Sequence, residues 1–460
     1  PSRMAEVLNR VIEKAIRGSA PAQINVPRDY WTQVIDIELP PIVRLERQGG
    51  GADAISKAAD LLSKAKFPVI LSGAGVVIGG AIDETKKLAE KLDSPVCSGY
   101  QHNDSFPGSH PLAVGPLGYN GSKAAMELIS KADVVLALGT RLNPFSTLPG
   151  YGIDYWPKNA NIIQVDINPD RIGLTKKVTV GISGDAKLVA QQIFEKLSSN
   201  AGDKDRQERK DLIHQTKSAW LQKLSSLDHE EDDEGTVWNK EARERDKNRM
   251  SPRQAWRAIQ VGMPEDVIIS SDIGNNCAIG NAYPTFEKPR KYLAPGLFGP
   301  CGYGFPSILG AKIGCPDTPV IGFAGDGAFG ISMNEMSSCA REEWPAITMV
   351  IFRNYQWGAE KRNTTLWFDN NFIGTELDPE LSYAKVANAC GLKGVTVKTM
   401  DETTAAIKQS CEDQKKGITT FIEVILNQEL GEPFRRDAMK KPVRVAGIKK
   451  TDMKSQKGLN

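Results

Sequence analysis

Val320-Ile321-Gly322-Phe323-Ala324-Gly325-Asp326-Gly327 runs an apolar strand into an aspartate with a glycine on each side. The next apolar run, Ile347-Thr348-Met349-Val350-Ile351-Phe352, leads into Asn354, 28 positions after Asp326. That spacing fits a strand, a crossover helix expected around Asn334–Arg341, and a parallel strand. A right-handed unit of this kind delivers the carboxyl ends of both strands to one sheet edge. Asp326 and Asn354 should therefore converge where doubly wound sheets bind ligands, and the flanking glycines let backbone N–H groups approach a phosphate. A carboxylate and an amide oxygen suit a hard cation that completes its octahedron with phosphate and water. The chemical object to expect is a magnesium-bound diphosphate.

Outward from this unit the same rhythm continues. Ser251-Pro252 is an N-cap followed by proline at the first helical position, and Val267–Ile269 and Phe421–Val424 read as further strands. Nearer the N-terminus, helices at Ala54–Lys66 and Glu84–Leu92 alternate with the apolar runs Val69–Leu71, Val134–Leu138 and Ile162–Val165. Short apolar runs separated by helices predict a mostly parallel sheet covered on both faces. The expected class is α/β, with two doubly wound domains at 41–200 and 251–430. Residues 201–250, with the acidic run Glu230–Glu234, read as a charged linker holding a helix near Leu212–Leu227. Residues 1–40 read as a helix from Arg3 to Arg17 and a strand Ala22–Val26, the tail of a domain whose body lies outside the chain, and 431–460 as a basic C-terminal tail.

Composition narrows the partners. Lys+Arg 58 against Asp+Glu 56 leave a formal net charge of +2 over 460 residues, so nothing calls for a nucleic acid or an anionic membrane. The seven cysteines are odd in number and form no C-x-x-C pair, which fits a reducing, cytoplasmic compartment. No apolar run approaches the roughly 18 residues of a membrane span. Gly73-x-Gly75, after the strand Val69–Leu71, admits a nucleotide-binding regulatory protein as an alternative of another class.

Strand, Gly325-Asp326-Gly327 and Asn354 at the next strand end resemble the signature of thiamin-diphosphate (ThDP) enzymes. The resemblance implies Mg²⁺ held by Asp326, the Asn354 side chain and the main-chain oxygen of Gln356. Where those enzymes usually carry a pair of asparagines, the first position here is Arg353. Gly299-Pro300-Cys301-Gly302-Tyr303-Gly304 resembles the loop before the diphosphate helix, with Cys301 at the place of the apolar wedge that bends ThDP and Gly302 and Tyr303 beside the cofactor. Asp272-Ile273-Gly274-Asn275 resembles a second diphosphate loop, and Ala328, Trp357 and Gly358 complete the implied cofactor contacts. The 50–200 unit is similar to the middle domain of the acetolactate-synthase-like branch, and residues 1–40 to the end of a pyrimidine-binding domain. That domain would carry the glutamate that activates ThDP, so no residue of this chain is given the role.

The segments Asn354–Asn363, Trp367–Phe372 and Gly431–Asp437 resemble the sulfoacetaldehyde acetyltransferase family of this superfamily. The implied reaction consumes sulfoacetaldehyde and phosphate, releases sulfite and acetyl phosphate, and runs in a homodimer or homotetramer. Acetolactate synthases and other ThDP-dependent 2-oxoacid decarboxylases are the nearest alternative. Two anionic substrates need cations, for which Lys361, Arg362, Arg435 and Arg436 are candidates.

Overall fold

The computed structural model describes residues 1–18, 20–41, 46–203, 205–226, 246–296, 298–341, 343–368 and 371–428. Two compact units emerge. Among the described residues, one comprises those of Pro1–Ser94, Ala132–Asn143 and Lys158–Gln207, the other those of Pro95–Lys131, Pro144–Pro157 and Glu208–Asn460.

The N-terminal helix is Met4–Gly18 and buries no residue. Ala22–Val26, expected as a strand, is not one in the structure, which gives it no strand partner among the described residues. The strands that follow are β1 (Pro68–Ser72), β2 (Val96–Ser98), β3 (Ala113–Pro116), β4 (Val134–Leu138), β5 (Asn161–Asp166) and β6 (Val180–Ser183). In the first unit β1, β4, β5 and β6 lie side by side in that order, all parallel. β1 and β4 are buried throughout, which is why they read as unbroken apolar runs. Helix Ala52–Lys64 covers the sheet with Ile55, Ala58, Ala59 and Leu62, a helical stripe. The Gly73-x-Gly75 turn is spent on the protein's own backbone. Gly75 N donates to Gly139 O at 2.8 Å, and a Cβ on Gly75 would stand 2.6 Å from Gly139 Cα. The Gly75 amide and the side on which its Cβ would stand are both taken by the Gly139 backbone.

The second unit holds β7 (Ile268–Ser271), β8 (Tyr292–Leu293), β9 (Val320–Gly325), β10 (Thr348–Arg353), β11 (Lys393–Val397) and β12 (Thr420–Ile425), in the sheet order β11-β12-β10-β9-β7-β8. The ladders are parallel. Helix Pro252–Gly262 begins in a capping box between Ser251 and Gln254. Its Trp256 is fully buried on one face of the sheet, with ring centroids 4.7 Å from Phe323 and 5.4 Å from Phe352. Phe305, Phe329 and Phe421 fill the other face. From β7 the chain moves first to β8 on one side and then to β9 on the other, so the order reverses between β7 and β9. The crevice beyond the carboxyl ends of these two strands is where such sheets receive ligands.

The crossover after β9 starts earlier than Asn334. Gly325 takes the extended N-cap conformation and helix Asp326–Ser332 begins at once, continuing through Met333–Glu335 into Met336–Cys339. Asp326 is thus a first-turn residue, and Ala328 and Phe329 turn the helix's apolar side to the core. Among the described residues no helix is long and apolar enough to cross a membrane.

Candidate cofactor and metal site

Phe352 of β10 pairs with Gly325 of β9, so Arg353, the last residue of β10 and paired with Ile425 of β12, stands beside Asp326, and Asn354 is the first residue beyond the strand. Asp326 is 1% exposed. Its Oδ1 accepts from Gly327 N at 3.0 Å, while Oδ2 accepts from Tyr355 N at 2.6 Å and from Arg353 Nη1 at 3.0 Å. Burial pushes its carboxyl up to about 6, opposed by the Arg353 guanidinium and the N–H groups of Tyr355 and Gly327. Tyr355 reaches the carboxylate by adopting a left-handed φ of 62°.

Asn354 is buried, and its main-chain oxygen accepts from Gln428 Nε2 at 3.0 Å. Gln356 is buried too, and its Oε1 has no hydrogen-bond partner among the described residues. The Asp326 carboxylate, the Asn354 amide oxygen and the Gln356 main-chain oxygen would offer a cation oxygen donors only, and Gln356 Oε1 is a buried oxygen without a hydrogen bond among the described residues. This fits a small hard cation.

A second loop meets this edge from β7. Asp272 Oδ2 accepts from Gly304 N at 2.7 Å and Oδ1 from Ile273 N at 2.7 Å and Gly302 N at 3.1 Å. The carboxylate therefore caps helix Gly304–Gly314, and Gly302, at φ +87°, turns the chain into it. Asn275 Nδ2 donates to Gly358 O at 3.0 Å, and Asn275 Oδ1 accepts from Tyr119 Oη at 3.2 Å. This joins the β7 loop to the Asn354–Gly358 turn. A Cβ on Gly274 or Gly325 would meet no atom within 4 Å, whereas one on Gly327 would stand 2.8 Å from the Trp357 indole. The backbone thus leaves open space beside two glycines of the crevice, as a phosphate-bearing ligand requires. Cys301 and Tyr303 are half-buried. Burial pushes the Cys301 thiol up, and the Asp272 and Glu360 carboxylates add to the shift.

The expected cations fare differently. Lys361 is buried and its ammonium is paired with Glu376 and lies 5.4 Å from the Phe372 ring centroid, so its charge already has a structural use. Arg362 lies over the Tyr119 ring at 5.0 Å, and burial lowers its guanidinium to about 10, still cationic at neutral pH. Arg435 and Arg436 lie outside the described residues.

Sequence reasoning missed Tyr119, Tyr383, Glu423 and the use made of Arg353. Tyr383 Oη donates to Asp326 O at 2.8 Å. Glu423 sits inside the apolar run Phe421-Ile422-Glu423-Val424, and a charge in a buried strand was the available signal.

The thiamine pyrophosphate enzyme central domain matches residues 55–193, and the C-terminal TPP binding domain matches residues 272–424. The chain is 78% identical to a probable sulfoacetaldehyde acetyltransferase of Rhizobium meliloti (strain 1021), over 99% of this chain and 77% of that protein. It is 72% identical to the sulfoacetaldehyde acetyltransferase of Roseovarius nubinhibens, over 99% and 76%. A probable acetolactate synthase large subunit of Methanococcus aeolicus is 30% identical over 89% and 68%. The fold is that of the benzoylformate decarboxylase from Polynucleobacter necessarius, with a TM-score of 0.71 at 19% identity over 94% of this chain and 75% of that one. The chain belongs to the thiamine pyrophosphate enzymes and, among them, to the sulfoacetaldehyde acetyltransferase family.

Proposed function

We propose that this chain catalyses the ThDP-dependent conversion of sulfoacetaldehyde and inorganic phosphate into acetyl phosphate and sulfite. The observation that carries the proposal is 78% identity along 99% of the chain to a relative bearing that name. When bound, ThDP supplies the electron sink that lets the carbon–sulfur bond break. The chain's own residues hold, orient and shield. Asp326, Asn354 and the main-chain oxygen of Gln356 would hold Mg²⁺, and Gly325, Gly327 and Ala328 would face the diphosphate across from Asp272, Gly274, Asn275, Gly302 and Tyr303. Trp357 and Gly358 close the turn above Gly327, and Cys301 would fill the wedge position.

Arg362 is the described cation best suited to an anionic substrate, because its guanidinium offers a planar fork and its ring partner Tyr119 is tied through Asn275 to the Gly358 turn. Lys361 serves the framework instead. The reading extends to a homodimer or homotetramer in the cytoplasm; seven free cysteines favour such a reducing compartment.

The test is an assay of the full-length protein with ThDP and Mg²⁺. Sulfoacetaldehyde should disappear only when phosphate is present, with sulfite and acetyl phosphate formed in equal amounts. Rapid formation of acetolactate from pyruvate, without sulfite release from sulfoacetaldehyde, would overturn the proposal.

A further inference from the structure

Arg353, where the superfamily usually carries asparagine, is 0% exposed and spans the core behind the candidate metal site. Its Nη1 holds Asp326 Oδ2 at 3.0 Å; its Nη2 donates to Asp378 O and, at 2.9 Å, to Leu381 O. Nε lies 3.8 Å from Glu423 Oε1, and the guanidinium lies over the rings of Tyr355 at 4.2 Å and Tyr383 at 5.4 Å. Glu423 is itself held by Ser382 Oγ at 2.7 Å, Thr396 Oγ1 at 3.1 Å and Tyr383 N at 3.1 Å. The cation is therefore fixed from several directions, and it fixes the carboxylate in turn.

The two oxygens of Asp326 are not equivalent. Oδ2 is taken by a charged donor and by a short bond from Tyr355 N, while Oδ1 has a single N–H, from Gly327. We infer that Arg353 is a positioning residue that reserves Oδ1 for the metal, makes Asp326 a one-oxygen ligand, and so favours Mg²⁺ over Ca²⁺. Ca²⁺ readily takes carboxylates through both oxygens and accepts irregular shells, whereas Mg²⁺ demands a small octahedron. Blocking the second oxygen withdraws a binding mode that only the larger ion exploits. The inference rests on the reading of Asp326 as a metal ligand.

Competition of Mg²⁺ and Ca²⁺ against Mn²⁺ in the ThDP-loaded full-length protein, with free Mn²⁺ read by electron paramagnetic resonance, tests it without an activity measurement. Arg353→Asn should shift the Ca²⁺ to Mg²⁺ affinity ratio toward Ca²⁺ by about tenfold, the low end for outer-shell partners of a metal site. The ratio is informative because a general loosening weakens both ions together. Should the single variant misfold, Arg353→Gln combined with Glu423→Gln removes one buried cation and one buried anion, keeps the local net charge, and should give the same shift. A wild-type ratio in every folded variant overturns the role of Arg353. Undiminished Mn²⁺ binding by Asp326→Asn would instead overturn the metal-ligand reading beneath it.

Discussion

Asp272 and Gly304 are joined across the β7/β9 crevice by a 2.7 Å bond from the Gly304 amide to the Asp272 carboxylate, although they lie 32 positions apart in the chain. The carboxylate satisfies the first turn of helix Gly304–Gly314 and sets the course of the Cys301–Tyr303 loop at the same time.

Asp272→Ala is expected to destabilise the protein by about 2–6 kcal/mol, because it strands the Gly302 and Gly304 amides at roughly 1–3 kcal/mol for each unmet buried donor. Asp272→Asn keeps one acceptor oxygen and should cost less. Denaturant unfolding would check the order, and equal stability of all three proteins would remove Asp272 from the framework of the crevice.

Asp326→Ala should abolish Mg²⁺-dependent ThDP binding, since it deletes the carboxylate of the donor set. It should also destabilise the cofactor-free protein by about 3–5 kcal/mol, because the buried Arg353 guanidinium loses its hydrogen-bonded partner. Calorimetric titration and denaturant unfolding read the two effects separately. Wild-type ThDP affinity at saturating Mg²⁺ would dismiss the site.

For Cys301 the raised pKa means less thiolate at any given pH. Its alkylation by iodoacetamide should keep accelerating above the ordinary thiol range of about 8.5, and Mg²⁺ with ThDP should slow it. Peptide mass spectrometry can follow Cys301 beside the exposed Cys315. Labelling of Cys301 indifferent to saturating cofactor would place it away from ThDP.

At Tyr355 the left-handed φ inverts the usual order of truncations. Tyr355→Gly should be more stable than Tyr355→Ala by about 1 kcal/mol, since alanine pays the Cβ clash that glycine avoids. Both should fall below wild type, whose ring covers the guanidinium of Arg353. Thermal unfolding in the absence of cofactor decides the ranking.

Much of this architecture was legible before any coordinates. Val134–Leu138 is a strand residue for residue, because a fully buried parallel strand must be apolar without interruption. The convergence of Asp326 with the residues after β10 follows from chain length and handedness alone. What escaped was decided by partners far along the chain. Lys361 looks like any helix-surface cation until Glu376 arrives beside it, and Gly73-x-Gly75 looks like a phosphate turn until Gly139 closes on it. Ala22–Val26 has strand composition, yet a strand exists only with a neighbour. The glycines around Asp326 masked the start of its helix, since propensity penalises what an N-terminal turn at a ligand site requires.

The order β11-β12-β10-β9-β7-β8 also bears on how the domain assembles. β9 and β10 are neighbours in both chain and sheet, so their pairing closes a short loop, while β10 must wait for β12 across the whole segment from 354 to 419. Loop-closure entropy rises with loop length, and local pairings lower the barrier to folding. Residues 320–353, which carry Asp326 and Arg353, can therefore form a nucleus before the outer strands join. Conservative truncations within β9 and β10 are expected to slow refolding, with φ-values above those in β11 and β12, whose truncations should chiefly speed unfolding. In kinetic terms, Asp326 and Arg353 are then expected to meet early in folding, ahead of the outer strands β11 and β12.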